Sequence, residues 1–163
     1  MSGPDVSDLS PGIAGTGRRG APTYDPRVVT PGDDHYGQLL RFRTELRRFL
    51  RWSEDQAAQA GLTPMQHQLL LAVKGHPDPM GPKASDVAGY LFISHSSVAE
   101  LVDRAEAQAL VERGDDPDDA RVVRLRLTRE GERRLAALSA LHVEELERLG
   151  PALAALMTGF AKR

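Results

Sequence analysis

From Asp33 onward, apolar residues recur at spacings of three and four. Leu39, Phe42, Leu46 and Phe49 or Leu50 share one stripe, with Arg41, Arg43, Arg47, Arg48 and Arg51 on the other faces. This amphipathic pattern predicts a helix from Asp33 to about Ala60, closed by Gly61. It is long for a helix that serves only its own small domain, which points to a partner. Thr63-Pro64 supplies a hydroxyl cap followed by a first-turn proline, so a second helix starts there, buries Leu69, Leu70 and Val73, and ends at Gly75, Pro77 and Pro79. The next segment, Gly81 to Leu91, has Asp86 near its expected helix start and Val87, Ala88 and Leu91 as its apolar face. A short break at Phe92-Ile93-Ser94 leads to another helix, from about His95 to Gln108, whose core side is Val98, Leu101, Val102 and Ala105.

Past that point the period changes. Ala109–Arg113 and Arg121–Leu127 read as strands, and the second alternates apolar and basic residues from Val123 to Leu127. The turn-rich Gly114-Asp115-Asp116-Pro117-Asp118-Asp119 between them makes a β-hairpin with a protruding tip. Thr128 caps a further helix with Glu130 and Glu132 in its first turn, where acids suit the positive helix end. Leu135, Leu138, Leu141, Leu146 and Leu149 continue it, Gly150-Pro151 is expected to break it, and Leu153, Leu156 and Phe160 make a last short helix. Ahead of all this, residues 1–32 hold Pro4, Pro11, Pro22, Pro26 and Pro31 with six glycines. So little apolar content cannot offset ordering entropy, and a disordered arm is expected. Its Arg18 and Arg19 read as part of a solvated tail, with contact to nucleic acid as the other reading.

Composition narrows the function classes. The 163 residues are 40% apolar and 27% charged, with a net charge of −2, enough to bury a core and no sign of a strongly basic face. With no cysteine in the chain, thiolate nucleophiles, Cys-based zinc sites and thiol redox sensing are excluded. His35, His67, His76, His95 and His142 have no metal-ligand spacing, and no metal or cofactor is expected. Apolar runs such as Leu69 to Val73 are far too short to span a membrane. The N-terminus lacks the charged-then-apolar pattern of a secretory signal, so a cytoplasmic location is the expectation. No phosphate-binding glycine loop or nucleophile elbow occurs, and the expectation is that the protein is not an enzyme.

Two short helices joined by a tight turn and followed by a hairpin form a winged helix-turn-helix. From Leu62 to Leu127 the chain resembles the MarR family of bacterial transcriptional regulators. The likeness rests on Leu62-Thr63-Pro64, Ser94-His95-Ser96-Ser97-Val98, Leu101-Val102-Asp103-Arg104, Leu110-Val111-Glu112-Arg113, Asp116-Pro117-Asp118-Asp119-Ala120-Arg121 and Leu127-Thr128-Arg129-Glu130-Gly131. The expected fold is mainly α with a small β-hairpin wing. It is organised as a 1–32 arm and a 33–163 domain, with a DNA-binding core at about 62–127 and dimerisation helices at 33–60 and 128–162. The resemblance implies a DNA-binding regulator, a ligand-responsive repressor acting as a homodimer on a palindromic operator. The alternative is a winged-helix module that binds protein.

The first turns of a recognition helix meet base edges in the major groove, which here nominates His95, Ser96, Ser97 and Glu100, with Arg104 farther along. Equally, Ser94 can be only a helix cap, with Ser96 and Ser97 solvated. Asp119 and Arg121, two apart, can pair and hold a guanidinium outward to a minor groove or phosphates. The resemblance implies this role, since the family's wing carries the same Asp-x-Arg spacing; a plain surface ion pair is the other reading. Arg113 and Arg124 are candidate phosphate contacts, and Arg126 is either that or a solvated strand residue. From Lys83 to Leu127 there are six basic and nine acidic residues, a net −3, so DNA contact must come from a few placed groups. Ala120, Phe92 and Ala109 depart from the family, which often has a basic residue at the first position and glycine at the other two.

Leu39, Phe42, Leu46, Leu149, Leu153, Leu156 and Phe160 exceed what one small wing domain needs to cover. They are read as a two-fold helical interface that sets two recognition helices about one DNA turn, roughly 34 Å, apart. The resemblance further implies a crevice for a small aromatic or phenolic effector, for which Arg48, Trp52, His67 and Tyr90 are candidates. A tryptophan ending an amphipathic helix can equally be core.

Overall fold

The computed structural model describes residues 32–119 and 121–161. The arm expected over residues 1–32 therefore lies outside the described residues, apart from Gly32. The elements run α1 (Asp33–Gln59), α2 (Pro64–Lys74), α3 (Ala84–Leu91), α4 (His95–Ala107), β1 (Val111–Asp115), β2 (Val123–Leu127) and α5 (Arg129–Ala161). The mainly α architecture with a β-hairpin wing is as expected from the sequence.

Local chemistry sets most boundaries. Thr63 caps α2 with a reciprocal capping box: its hydroxyl accepts from the Gln66 N–H at 3.2 Å, and the Gln66 amide oxygen accepts from the Thr63 N–H at 2.9 Å. The Ser94 hydroxyl caps α4 by accepting from the Ser97 N–H at 3.2 Å. The Thr128 hydroxyl caps α5 by accepting from the Gly131 N–H at 3.1 Å. The two non-glycine residues with positive φ among those described are Phe92 (φ 55°) and Ala109 (φ 52°). They end α3 and precede β1, so the glycine preference at both positions has a backbone origin.

Two boundaries are set by tertiary contacts. Helix α3 starts at Ala84, near the start expected about Asp86, and residues 81–83 lie along β2. The Leu125 N–H donates to the Pro82 carbonyl at 2.9 Å, and Lys83 bridges Arg124 in antiparallel fashion. Gly81 (φ +88°) fits there because a Cβ would sit 2.1 Å from the Leu125 carbonyl oxygen. Helix α5 also runs unbroken through Pro151, where the sequence predicted a break at Gly150-Pro151. A proline inside a helix costs about 3 kcal/mol. The helix persists because Leu153 and Leu156 beyond it are half-buried, and because Gly159 lies against Gln38 of α1.

The wing is a two-stranded antiparallel ladder pairing Val111 with Leu127 through Asp115 with Val123. Leu69, Leu70, Val87, Val98, Leu110, Leu125 and Leu138 are among the most buried residues of a core that joins α2, α3, α4, the wing and the start of α5. This core ends early along both long helices. Among the described residues, α1 buries only Ser53 and Ala57, and α5 buries nothing after Leu138.

Candidate nucleic-acid interface

Helix α4 turns Val98, Leu101, Val102 and Ala105 inward and leaves His95, Ser96, Ser97, Ala99, Glu100, Asp103 and Arg104 exposed. The Ser94 hydroxyl lies 2.9 Å from those of both Ser96 and Ser97, so Ser94 caps the helix while a cluster of hydroxyls stands at its start. These serines surround backbone N–H groups that carry the positive end of the helix. Glu100 does not face outward alone, since the Arg104 guanidinium is 3.8 Å from its carboxylate one turn later. The pair is exposed and adds little stability. It does offset the one acid expected at the reading face.

The wing tip carries the second set of groups. Arg121 Nε donates to Asp119 Oδ1 at 3.0 Å and Nη2 to Oδ2 at 3.2 Å, a fork, while 91% of its side chain remains exposed. Asp119 Oδ1 also accepts from the Arg121 N–H at 3.0 Å. The hydrogen bonds from the Arg121 side chain, then those from its backbone, hold the Asp119 carboxyl below its ordinary range. The spacing of two thus does what the sequence suggested: it fixes a guanidinium and leaves it open to solvent.

Arg113 and Arg124, the other candidate phosphate contacts, are both held in ion pairs. Arg113 spans back to α4, donating to Asp103 at 2.6 Å and forming a second ion pair with Glu106; it ties β1 to the recognition helix. Arg124 has only 11% of its side chain exposed and lies between Asp78 and Asp116. Arg126 is exposed on β2, its guanidinium alongside Gly114 across the ladder. Sequence reasoning missed Asp78 and the buried Asp116 as partners. For Asp116 a signal existed, since an aspartate two and three residues ahead of Asp118 and Asp119 is placed to accept their N–H groups; for Asp78, distant in the chain, there was none.

The four crevice candidates fall in two places. Arg48 and Trp52 line one crevice of 330 Å³ between α1 and α5, with Phe49, Glu45, Glu145 and Arg148. His67 and Tyr90 line another of 570 Å³, with Leu50, Ser53, Met65 and Phe92. Between them, His142 touches both sets: its ring centroid is 4.9 Å from Trp52 and 4.8 Å from His67. Of the dimerisation candidates, Leu39 and Leu46 are exposed, Phe42, Leu149, Leu153 and Leu156 are half-buried, and the Phe160 side chain lies outside the described residues. No group of His, Asp and Glu suited to a metal occurs among the described residues, and no described helix is long and apolar enough to cross a membrane.

Residues 60–122 match the model of the MarR family. The chain is 44% identical over 48 residues to an uncharacterized HTH-type transcriptional regulator, YsmB, of Bacillus subtilis (strain 168); that stretch is 29% of this chain and 33% of the relative. Solved structures share the fold more widely. A MarR family transcription regulator superposes with a TM-score of 0.65 at 23% identity, covering 80% of this chain and 85% of its own. MepR of S. aureus, in complex with DNA, gives 0.58 at 20% identity over 74% and 91%. CouR of Rhodococcus jostii RHA1, bound to p-coumaroyl-CoA, gives 0.59 at 25% identity over 71% and 78%.

Proposed function

From a chain whose residues 60–122 carry a MarR-family winged helix-turn-helix, we propose that it is a sequence-specific DNA-binding transcriptional regulator. In this reading it is a homodimeric repressor on a palindromic operator, released by a small aromatic or phenolic effector. The observation that carries the reading is the wing-tip guanidinium of Arg121, forked onto Asp119 yet 91% exposed, in the same unit as an α4 that opens on exposed His95, Ser96 and Ser97. His95, Ser96 and Ser97 read bases, with Glu100 and Arg104 behind them. Arg121 enters the minor groove or meets phosphates, held by Asp119. Arg113 keeps β1 on the recognition helix. The effector takes the crevice lined by His67 and Tyr90, which is the larger and more apolar of the two.

Selection from a random duplex pool with the purified protein tests this. A palindrome should be enriched, bound with affinity that falls steeply as salt rises. Arg121→Ala should weaken every duplex by roughly tenfold and flatten the salt dependence by about one unit, while His95→Ala or Ser97→Ala shifts preference among sequences. The net −3 of residues 83–127 favours the second reading, a winged-helix module that binds protein. That module would enrich no duplex in the same selection.

A further inference from the structure

We propose that Arg124, held by Asp78 and Asp116, is a positioning residue that sets the wing tip and through it Arg121, and that it touches no nucleic acid itself. The proposal rests on the DNA-binding reading above and assigns Arg124 a different part in it. Arg124 Nε donates to Asp116 Oδ2 at 2.7 Å, and Nη1 donates to Asp78 Oδ2 at 2.8 Å and to the Gly81 carbonyl at 2.9 Å. Its side chain is 11% exposed and that of Asp116 is 8% exposed. A phosphate reaching this guanidinium would compete with two carboxylates that already hold it, and displacing Asp116 would leave that charge buried without a partner.

A continuous run of hydrogen bonds leads from this cluster to the tip. Asp116 gives one carboxylate oxygen to Arg124 and the other to the N–H groups of Asp118 at 3.0 Å and Asp119 at 3.2 Å. The Asp119 carboxylate in turn takes the backbone N–H and the guanidinium of Arg121. At the other end, Asp78 Oδ1 accepts from the Met80 N–H at 2.9 Å, which anchors the cluster in the loop that leads into α3. Arg121 is therefore oriented by groups outside the hairpin. Arg124 is the side chain of this cluster that reaches from the wing to the loop ahead of the helix-turn-helix, beside the backbone bond from Leu125 to Pro82. Its positive charge is what lets two carboxylates share this place.

The experiment is a double-mutant cycle on the full chain with Arg124→Met, Arg121→Ala and their combination, using the duplex from the random-pool selection over a salt series. Arg124→Met should bind roughly tenfold more weakly, with the salt slope reduced by about one unit as in Arg121→Ala. The double variant should be no weaker than Arg121→Ala alone, within about twofold. A further tenfold loss and a further unit of slope in the double variant would show that Arg124 meets phosphate directly and overturn the proposal. Wild-type affinity in Arg124→Met would overturn it too. Asp78→Asn, which keeps the shape of the loop, repeats the cycle if Arg124→Met does not fold, with the same non-additivity expected. The Arg121 Nε–H resonance gives a reading without DNA. It should be sharp and shifted by Asp119 in the wild type and move to the position of a solvated arginine in Arg124→Met or Asp78→Asn; an unchanged resonance overturns the clamp. If the wild type binds no duplex, the DNA reading fails while this resonance still decides whether the clamp orders the tip.

Discussion

His67 shows how one buried side chain sets a pH dependence. It is 4% exposed, on α2, with its ring centroid 4.8 Å from that of His142 on α5. A carbonyl only accepts, so His142 Nδ1 donates to the Leu138 carbonyl at 2.8 Å, and its Nε2 lies 2.7 Å from the Ser53 hydroxyl. Burial first, and then the neighbouring imidazole, lower the His67 pKa to about 4. The unfolded chain titrates near the ordinary value of 6.5, so between the two values it holds more protons than the fold does. Stability is then complete above pH 6.5 and falls as pH drops towards 4, by roughly 2–3 kcal/mol from this group. Urea midpoints at pH 7.5, 5.5 and 4.5 should fall less in His67→Gln than in wild type; parallel curves would remove His67 as the cause. At this scale the chain was partly legible. The pairing of Asp119 with Arg121 follows from their spacing of two on a turn. The burial of Arg124 does not, because its partner Asp78 is 46 residues away, and alternation along a strand says only which face a residue takes.

Elements are decided by contacts that single side chains do not reveal. Gly131, in the first turn of α5, packs so closely on the turn between α4 and β1 that a Cβ would lie 2.0 Å from the Leu110 carbonyl oxygen. The obstacle is backbone, so α5 itself would have to move away from the end of α4. Gly131→Ala should cost about 2–4 kcal/mol. Gly89, in α3, has nothing within 4 Å of the same position, and Gly89→Ala should stabilise by about 0.5–1 kcal/mol. Thermal melts of the two variants check both; equal shifts would contradict the packing argument. The motif Leu127-Thr128-Arg129-Glu130-Gly131 was visible in the sequence, and the Thr128 cap with it. The close approach was not, since it depends on how α5 sits on Leu110. Pro151 is the converse case. Local propensity predicted an end to the helix, and the half-burial of Leu153 and Leu156 with the contact of Gly159 on Gln38 of α1 overrode it.

For the whole molecule, the open question is what covers the outer lengths of α1 and α5. Leu39, Leu40, Leu46, Leu141, Leu146 and Met157 are each more than two-fifths exposed, Leu40 at 69%. Apolar side chains on two long helices with so little buried beyond Ser53 and Leu138 leave a surface that water disfavours. The helical periodicity already carried this, because the stripes on both helices were longer than one wing domain needs. It could not say how far the monomer core reaches along them. A second copy related by a two-fold axis presents the same stripes in return and would place two α4 helices on successive turns of a palindrome. The chain should therefore sediment as a dimer at micromolar concentration. Leu46→Glu puts a charge on an exposed position of the single protomer, so its helix content should be unchanged. In a two-fold dimer built on these stripes the same charge would be buried twice, which should raise the dissociation constant by at least about a hundredfold. With the dimer gone, affinity for the palindrome should drop to that for one half-site, and deleting the second half-site should make no further difference. A wild-type monomer at tens of micromolar would refute the two-fold arrangement. A Leu46→Glu protein that stays dimeric would place the interface elsewhere on these helices.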